Sequence, residues 1–226
     1  MTGPERVLGK LAPGREEVYN SGYHYNSNGE VRNVADSKPT LNGKTRDDAW
    51  DLVTRHVANE GLRKHMLCVE AAMREYARFY GGDEEYWGTL GLIHDWDWEI
   101  HPTADEHPTK GAQMLLEMGW PGEFVRSILS HATYTGVPRT ELQDRALFAC
   151  DELSGLIVAT ALVKPSRSLA EVDLRSVTKK MKDKAFARNV NREDIVQGAQ
   201  ELDRPLEAHI EFVIQALQRI SADIGL

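Results

Sequence analysis

The sequence is poor in cysteine and lacks the usual marks of a secreted protein. Of its 226 residues only Cys68 and Cys150 are cysteines, and they form no C-x-x-C pair. We therefore expect reduced thiols rather than a disulfide framework. The opening residues, Met1-Thr2-Gly3-Pro4, do not begin an apolar signal segment behind a basic start, which predicts a cytoplasmic protein.

Long hydrophobic runs and an excess of positive charge are also missing. The longest nearly apolar run, Leu153 to Val163, is interrupted by polar residues and is too short to cross a bilayer, so it predicts a buried helix and no membrane partner. The 27 Lys and Arg residues are outnumbered by 35 Asp and Glu residues, which gives a net charge of -8. This balance disfavours a nucleic-acid partner and favours a small-molecule substrate.

The chain divides by pattern into an extension and one long helical region. Residues 1–44 are rich in Gly, Asn, Ser and Pro without a sustained period, which predicts an irregular N-terminal extension. A short hairpin around Asn28-Gly29 is the open alternative. From Thr45 to Leu226 every clear pattern is helical, so we predict a single all-α domain over residues 45–226.

Helix starts and stops can be read from several local signals. Thr45 or Asp47 is a candidate N-cap, Asp83 another, and Ser168 to Glu171 has the form of a capping box. The predicted helices run over about 61–80, 84–94, 141–163, 191–202 and 205–224, with others beginning near residues 45, 107, 121 and 168.

The stretch from Gly91 to Glu99 holds an adjacent imidazole and carboxylate, His94 and Asp95, where an apolar helix pattern ends. Other predicted helices or helix ends also place one such group on an otherwise apolar face. A lone histidine of this kind is usually a hydrogen-bonded core residue, but a buried carboxylate is costly unless it is paired or binds a metal. A cation at the centre of the bundle would explain the whole set: His65, His94, Asp95, His107, His131 and Asp151.

The order of these residues resembles the HD superfamily of metal-dependent phosphohydrolases. The resemblance lies in His65, His94-Asp95 and Asp151, and it extends through His107-Pro-Thr-Lys-Gly-Ala112, Ile128-Leu-Ser-His131 and Ala149-Cys-Asp151-Glu-Leu. It covers roughly Thr45 to Val163. It implies the helical bundle of the HD domain.

The resemblance also implies a ligand assignment. His65, His94, Asp95 and Asp151 would hold one metal, while His107 and His131 would hold a second that shares Asp95. We therefore expect two divalent metal ions, with Mn, Fe, Co, Ni, Zn or Mg as the candidates. The implied activity is hydrolysis of a small phosphate ester such as a nucleotide by metal-activated water, with Asp95 as a catalytic residue.

Charged residues outside the ligand set are candidates for catalysis or for substrate binding. Asp97 or Glu99 could act as a general acid or base toward the leaving oxygen, although charged residues at a helix end are more often solvated. Many family members have Lys three residues after the motif Asp, where this chain has Trp98. The candidates for holding a substrate phosphate are Lys164, Lys180 and Lys182, with Arg167 and Lys184, and the alternative for them is a solvated basic face.

Two other functions share the same ligand residues. Dinuclear HD proteins that resemble myo-inositol oxygenase and the phosphonate-cleaving oxygenases hold two irons and activate O₂. A non-catalytic module could instead keep the metal for stability and bind a nucleotide or a partner protein.

Overall fold

The computed structural model describes residues 23–25, 31–33 and 39–226. Two short strands, β1 (Tyr23–Tyr25) and β2 (Val31–Asn33), pair antiparallel with His24 opposite Arg32. Their positions on either side of Asn28-Gly29 fit the hairpin alternative, and the other residues of the predicted extension before residue 39 lie outside the described residues. A separate compact unit runs from Pro39 to Leu226.

The compact unit is built from helices, which confirms the all-α prediction. In the described part of the chain these are α1 (Arg46–His56), α2 (Glu60–Tyr80), α3 (Glu84–Ile93), α4 (Thr109–Glu117), α5 (Gly122–Ser130), α6 (Leu142–Leu162), α7 (Leu174–Lys182), α8 (Arg192–Glu201), α9 (Leu206–Arg219) and α10 (Ser221–Ile224). Single 3₁₀ turns lie at Thr133–Thr135 and Leu169–Glu171. None of the described helices combines the length and the apolar character needed to span a membrane.

The predicted helix ends at Thr45 and Asp83 are confirmed by their hydrogen bonds. Thr45 closes a capping box with Asp48 at the start of α1, and the Asp83 carboxylate accepts the Tyr86 N–H at 2.9 Å. Gly81 ends α2 in the left-handed region, with φ of 73°, where a residue without Cβ meets least strain.

Two predicted helices differ from the structure. The Ser168 pattern produces only a 3₁₀ turn, because the chain becomes extended at the buried Val172, and α7 begins instead behind a capping box formed by Asp173 and Ser176. The segment predicted as one helix over 205–224 is divided at Ile220, whose φ of -103° and ψ of 8° interrupt the helical path between α9 and α10.

The two longest helices, α2 and α6, form the centre of the unit. They pack on each other, α3 packs on α2, and α8 packs on α6. Glycines permit the contacts of α3 with α2 and of α8 with α6. A Cβ on Gly91 would lie 2.9 Å from the Val69 carbonyl oxygen, and one on Gly198 would lie 2.5 Å from Ala149 Cα. These close approaches hold α3 and α8 against the two central helices.

A buried histidine joins three of these helices. His209 of α9 accepts at Nδ1 from the Tyr76 hydroxyl of α2 at 2.6 Å, and its Nε2–H donates to the Ala149 carbonyl of α6 at 2.9 Å. Burial lowers the pKa of His209 to about 4, so the ring is neutral at pH 7. His209 therefore has a structural role in joining these helices.

Candidate metal centre

The six predicted ligands lie together, although they come from five separate parts of the chain. The ligand cluster comprises His65 in α2, His94 and Asp95 directly after α3, His107 before α4, His131 directly after α5, and Asp151 in α6. Within the described residues they form two groups that share Asp95. In each group, one nitrogen or oxygen from every member lies within 4.8 Å of the others.

The first group surrounds one oxygen of Asp95. Asp95 Oδ2 lies 3.4 Å from His94 Nε2 and 3.9 Å from His65 Nε2. Asp151 Oδ1 lies 3.0 Å from His65 Nε2 and 3.5 Å from His94 Nε2. Two imidazoles and two carboxylates therefore converge on one point.

The second group surrounds the other oxygen of the same carboxylate. Asp95 Oδ1 lies 3.2 Å from His107 Nε2 and 3.4 Å from His131 Nε2. The two oxygens of Asp95 thus face different sets of imidazoles, as a carboxylate shared by two cations would.

The separations between these atoms can be compared with those around a bound cation. Ligands held by bonds of about 2.1 Å lie about 3.0 Å apart at right angles and about 3.4 Å apart at the tetrahedral angle. The contacts of 3.0 to 3.9 Å fall at or slightly above this range. In addition, His94 Nε2 is buried without a hydrogen-bond partner among the described residues, which a cation at this point would explain. The residues fit a metal.

Three histidines are held in the tautomer that metal binding requires. His94 Nδ1 lies 2.8 Å from the Gly91 carbonyl oxygen, and His131 Nδ1 lies 2.6 Å from that of Ile128. His107 Nδ1 lies 2.8 Å from Asp97 Oδ1. Since carbonyl and carboxylate oxygens only accept, each Nδ1 carries a proton, and each Nε2 faces the cluster, where it can bind a metal once it is deprotonated.

The charges of the imidazoles and carboxylates in the cluster depend on one another. Burial opposes the charged form of His94, yet the carboxylates of Asp95 and Asp151 raise its pKa well above the ordinary value. Burial likewise opposes ionisation of Asp95, but His94, His107 and His131 hold the pKa of that carboxyl well below its usual range. Protons shared between these imidazoles and carboxylates compete with a cation for the same atoms, so metal binding should release protons.

A cavity of about 700 Å³ opens beside the ligand cluster, which forms part of its wall. Aromatic side chains line another part, and among them Trp98 and Tyr134 are about half exposed. The remaining polar lining comes from the 3₁₀ turn after His131, from α6, and from the start of α8 with the residues before it: Thr133, Glu152, Asn189, Asn191 and Asp194.

Tyr134 lies in the turn that follows His131 and was not predicted as a functional residue. Partial burial and the negative charges of Asp95 and Asp97 raise the pKa of its hydroxyl to about 12. The hydroxyl therefore keeps its proton at neutral pH and can donate a hydrogen bond within the cavity. Its position three residues after the ligand His131 was the available signal in the sequence.

Glu152, Asn191 and Asp194 were also missed. Burial and then the charge of Asp151 raise the pKa of Glu152 to about 8, and burial raises the pKa of Asp194. Glu152 could have been suspected because it follows a ligand. Asn191 and Asp194 lie about forty residues after it, and only the packing of α8 on α6 brings them to the cavity.

Asp97 and Glu99, the candidates for a general acid or base, are both engaged in hydrogen bonds. Asp97 is 1% exposed, and both of its oxygens are engaged: Oδ1 by His107 and Oδ2 by the Gly111 N–H at 3.0 Å. Glu99 accepts the N–H groups of Ala58 and Asn59 at 2.9 and 2.7 Å, next to the start of α2. Neither carboxylate lines the cavity.

The lysines predicted to hold a phosphate also lie elsewhere. Lys164, Lys180 and Lys182 are not part of the cavity wall. Lys180 Nζ lies 4.1 Å from the centre of the Phe186 ring, while Lys182 borders a separate depression beside Glu207. Lys182 is exposed and Lys180 is half-buried, which is compatible with the alternative of a solvated face.

No protein-family model, curated protein or solved structure matches this chain. Its resemblance to the HD superfamily therefore rests on its own motifs.

Proposed function

We propose that this protein is a metal-dependent phosphohydrolase of the HD type that holds two divalent cations and cleaves a small phosphate ester. The observation that carries the proposal is that the two oxygens of Asp95 face different imidazoles. Oδ2 faces His65 and His94, while Oδ1 faces His107 and His131. A shared carboxylate between two imidazole sets is suited to a dinuclear centre.

The donors divide into two sets that share Asp95. His65, His94, Asp95 and Asp151 would hold one cation, and His107, His131 and Asp95 the other. When bound, divalent cations lower the pKa of a water nucleophile toward neutrality and neutralise charge on phosphoryl oxygens. The hydrogen bonds at Nδ1 of His94, His107 and His131 keep the rings oriented, so little reorganisation is needed when substrate enters.

Tyr134 and Trp98 line the cavity beside the ligand cluster, and Trp98 stands where many HD proteins have the motif lysine. The Tyr134 hydroxyl is a neutral donor beside the cluster, and we assign it to the phosphoryl or leaving oxygen. The Trp98 ring meets the His107 ring edge to face, with centroids 4.9 Å apart, and so covers one ligand from solvent. Both side chains lie at the cavity, where they can exclude water from the reacting group.

A dinuclear iron oxygenase is the second candidate function, because the same donor set also suits two irons. Four imidazoles with two carboxylates also suit iron. Among the described residues that line the cavity none is Lys or Arg, so the protein itself offers no cation to a phosphate there.

The first experiment is elemental analysis and EPR of the purified protein, followed by anaerobic turnover of phosphate esters with Mn²⁺. We expect two metal ions per chain and hydrolysis without O₂. Asp95→Asn should reduce the bound metal to one or none and lower kcat by on the order of 10²–10³-fold, while circular dichroism and the Tm show a folded protein. Asp105→Asn, an exposed carboxylate in the same connecting segment, is the matched control.

Other outcomes would separate the alternatives. Two irons with a mixed-valence signal and substrate-dependent O₂ consumption would establish the oxygenase instead. Full phosphohydrolase activity in Asp95→Asn would contradict the proposed site, and loss of folding in that variant would indicate a structural metal.

A further inference from the structure

The charges around the cavity constrain what kind of phosphate ester it can receive, given the proposed function. Two divalent cations held by the ionised Asp95 and Asp151 leave about two net positive charges, which one phosphoryl dianion neutralises. A second or third phosphoryl group would need further cations, and none of the described lining residues is Lys or Arg.

The nearby Arg139 does not fill this role. Its guanidinium is engaged by both oxygens of Glu201 at 2.7 Å and lies 3.7 Å from the centre of the Phe148 ring. Phe148 lines the cavity whereas Arg139 does not. The arginine is thus already neutralised by a carboxylate outside the cavity.

The start of α8 is likewise unsuited to an anion. The Asn191 side chain accepts the Glu193 N–H at 3.0 Å and donates to Asp194 Oδ2 at 2.8 Å. The acidic Glu193 and Asp194 occupy its first turn. The positive end of the helix dipole therefore faces carboxylates of the protein itself.

Glu152 and Asp194 place two carboxyl groups in the cavity lining. Within residues 39–226 neither one forms an ion pair with Lys, Arg or His, although both are partly buried. Burial without a cationic partner disfavours the charged form of a carboxyl group, and a positively charged ligand bound beside it would stabilise that form. The close packing of Gly198 on Ala149 brings together α8 and α6, the two helices that carry these groups.

Aromatic side chains of the same cavity suit the same kind of ligand. Trp98 and Tyr134 line the cavity and remain exposed. Aromatic faces attract ammonium groups electrostatically, and the effect adds to that of nearby carboxylates. The volume of about 700 Å³ is sufficient for a small metabolite.

We propose that the substrate is a phosphate monoester of an amino alcohol or amino sugar, with its single phosphoryl group at the ligand cluster and its ammonium group received by Glu152 and Asp194. Hydrolysis adds water across the P–O ester bond, so that inorganic phosphate and the free amino alcohol leave. The proposal depends on the proposed phosphohydrolase function and specifies its substrate class.

The test compares pairs of esters that differ by one amino group. For the Mn²⁺-loaded full-length protein we would measure kcat/KM with 2-aminoethyl phosphate against ethyl phosphate, and with glucosamine 6-phosphate against glucose 6-phosphate. We expect the amine of each pair to be preferred by about ten-fold or more, as for one charge-assisted contact. ATP should be a poorer substrate than either amine.

The variants Glu152→Gln and Asp194→Asn should each reduce the amine preference by several-fold, and the double variant should remove it. Asp194 lies on a different helix from Asp151, so its variant separates loss of ammonium recognition from disturbance of a ligand. A structural defect would lower kcat/KM for both members of a pair and leave their ratio unchanged. Glu193→Gln, one residue away and outside the cavity lining, should keep the wild-type ratio.

Hydrolysis of these esters without an amine preference, or with ATP preferred, would overturn the substrate class while the phosphohydrolase function stands. If no phosphate ester is cleaved under any metal loading, the proposed function fails and this inference fails with it.

Discussion

At the scale of single residues, the segment after α3 gives neighbouring polar side chains different partners. His94 and Asp95 belong to the ligand cluster, Asp97 holds His107, and Glu99 accepts backbone N–H groups next to α2. Gly111 leaves room for this arrangement, since a Cβ there would lie 2.4 Å from Asp97 Oδ2. Asp97 is therefore a positioning residue that acts through His107.

Replacing Asp97 should weaken the second metal more than the first. In Asp97→Asn the amide can donate as well as accept, so it no longer holds the proton on Nδ1 of His107 and no longer keeps Nε2 free for a metal. We expect the affinity of the second metal to fall about 10- to 100-fold, measured by isothermal titration with Mn²⁺. Gly111→Ala should act in the same direction by displacing Asp97.

The matched control is again Asp105→Asn, which should bind both metals as the wild type does. Equal loss of both metals in Asp97→Asn would show that the carboxylate supports the fold rather than His107.

At the scale of elements, the buried contact between His209, Tyr76 and Ala149 ties α9 to α2 and α6. Its histidine is neutral when folded because burial lowers the pKa to about 4, whereas the ordinary value is 6.5. Between these two pH values the unfolded chain binds a proton that the folded chain does not. The contribution of neutral His209 is therefore complete above about pH 6.5 and is lost as the pH falls toward 4.

This linkage predicts a pH-dependent difference between wild type and His209→Gln. Glutamine cannot titrate, so the stability advantage of the wild type should shrink by up to about 3 kcal/mol between pH 7 and pH 4. Urea unfolding of the metal-free proteins at several pH values would measure it. The raised pKa values of His94 and His107 act in the opposite sense, stabilising below pH 6.5, but they are common to both proteins and cancel in the difference.

A difference in unfolding free energy that stays constant from pH 7 to pH 4 would contradict the buried neutral state of His209.

The helix ends illustrate what local sequence can predict about elements. The caps at Thr45 and Asp83 were predicted because a capping side chain and its backbone donor are two or three residues apart. The capping box at Ser168 predicted a helix that does not form, because the chain becomes extended where Val172 is buried. Burial of one side chain is set by distant elements, which a local pattern does not contain.

At the scale of the whole molecule, the compact unit Pro39–Leu226 contains all six ligands and the described hydrophobic core. A chain that begins at Pro39 should therefore fold and bind the same number of metal ions. We expect a Tm within about 2–4 °C of the full-length protein, which corresponds to a change of about 1 kcal/mol. Scanning calorimetry and elemental analysis of the two chains would measure both quantities.

A much lower Tm or a lost metal ion in the shortened chain would show instead that residues 1–38 contribute to the folded unit.

The sequence by itself determined the helical class and the six candidate ligands. Helical periodicity and capping act over a few residues, and metal-capable side chains on apolar faces stand out because buried charge is costly. Their order along the chain carried the resemblance to the HD superfamily.

Only the tertiary structure decided how these residues are used. The sequence could not show which oxygen of Asp95 faces which imidazoles, that Asp97 is enclosed behind His107, or that the lysines of α7 point elsewhere. It also could not bring Asp194 to the cavity beside Glu152. These relations depend on how helices far apart in the chain pack together, and glycines such as Gly198 set that packing through contacts no local pattern encodes.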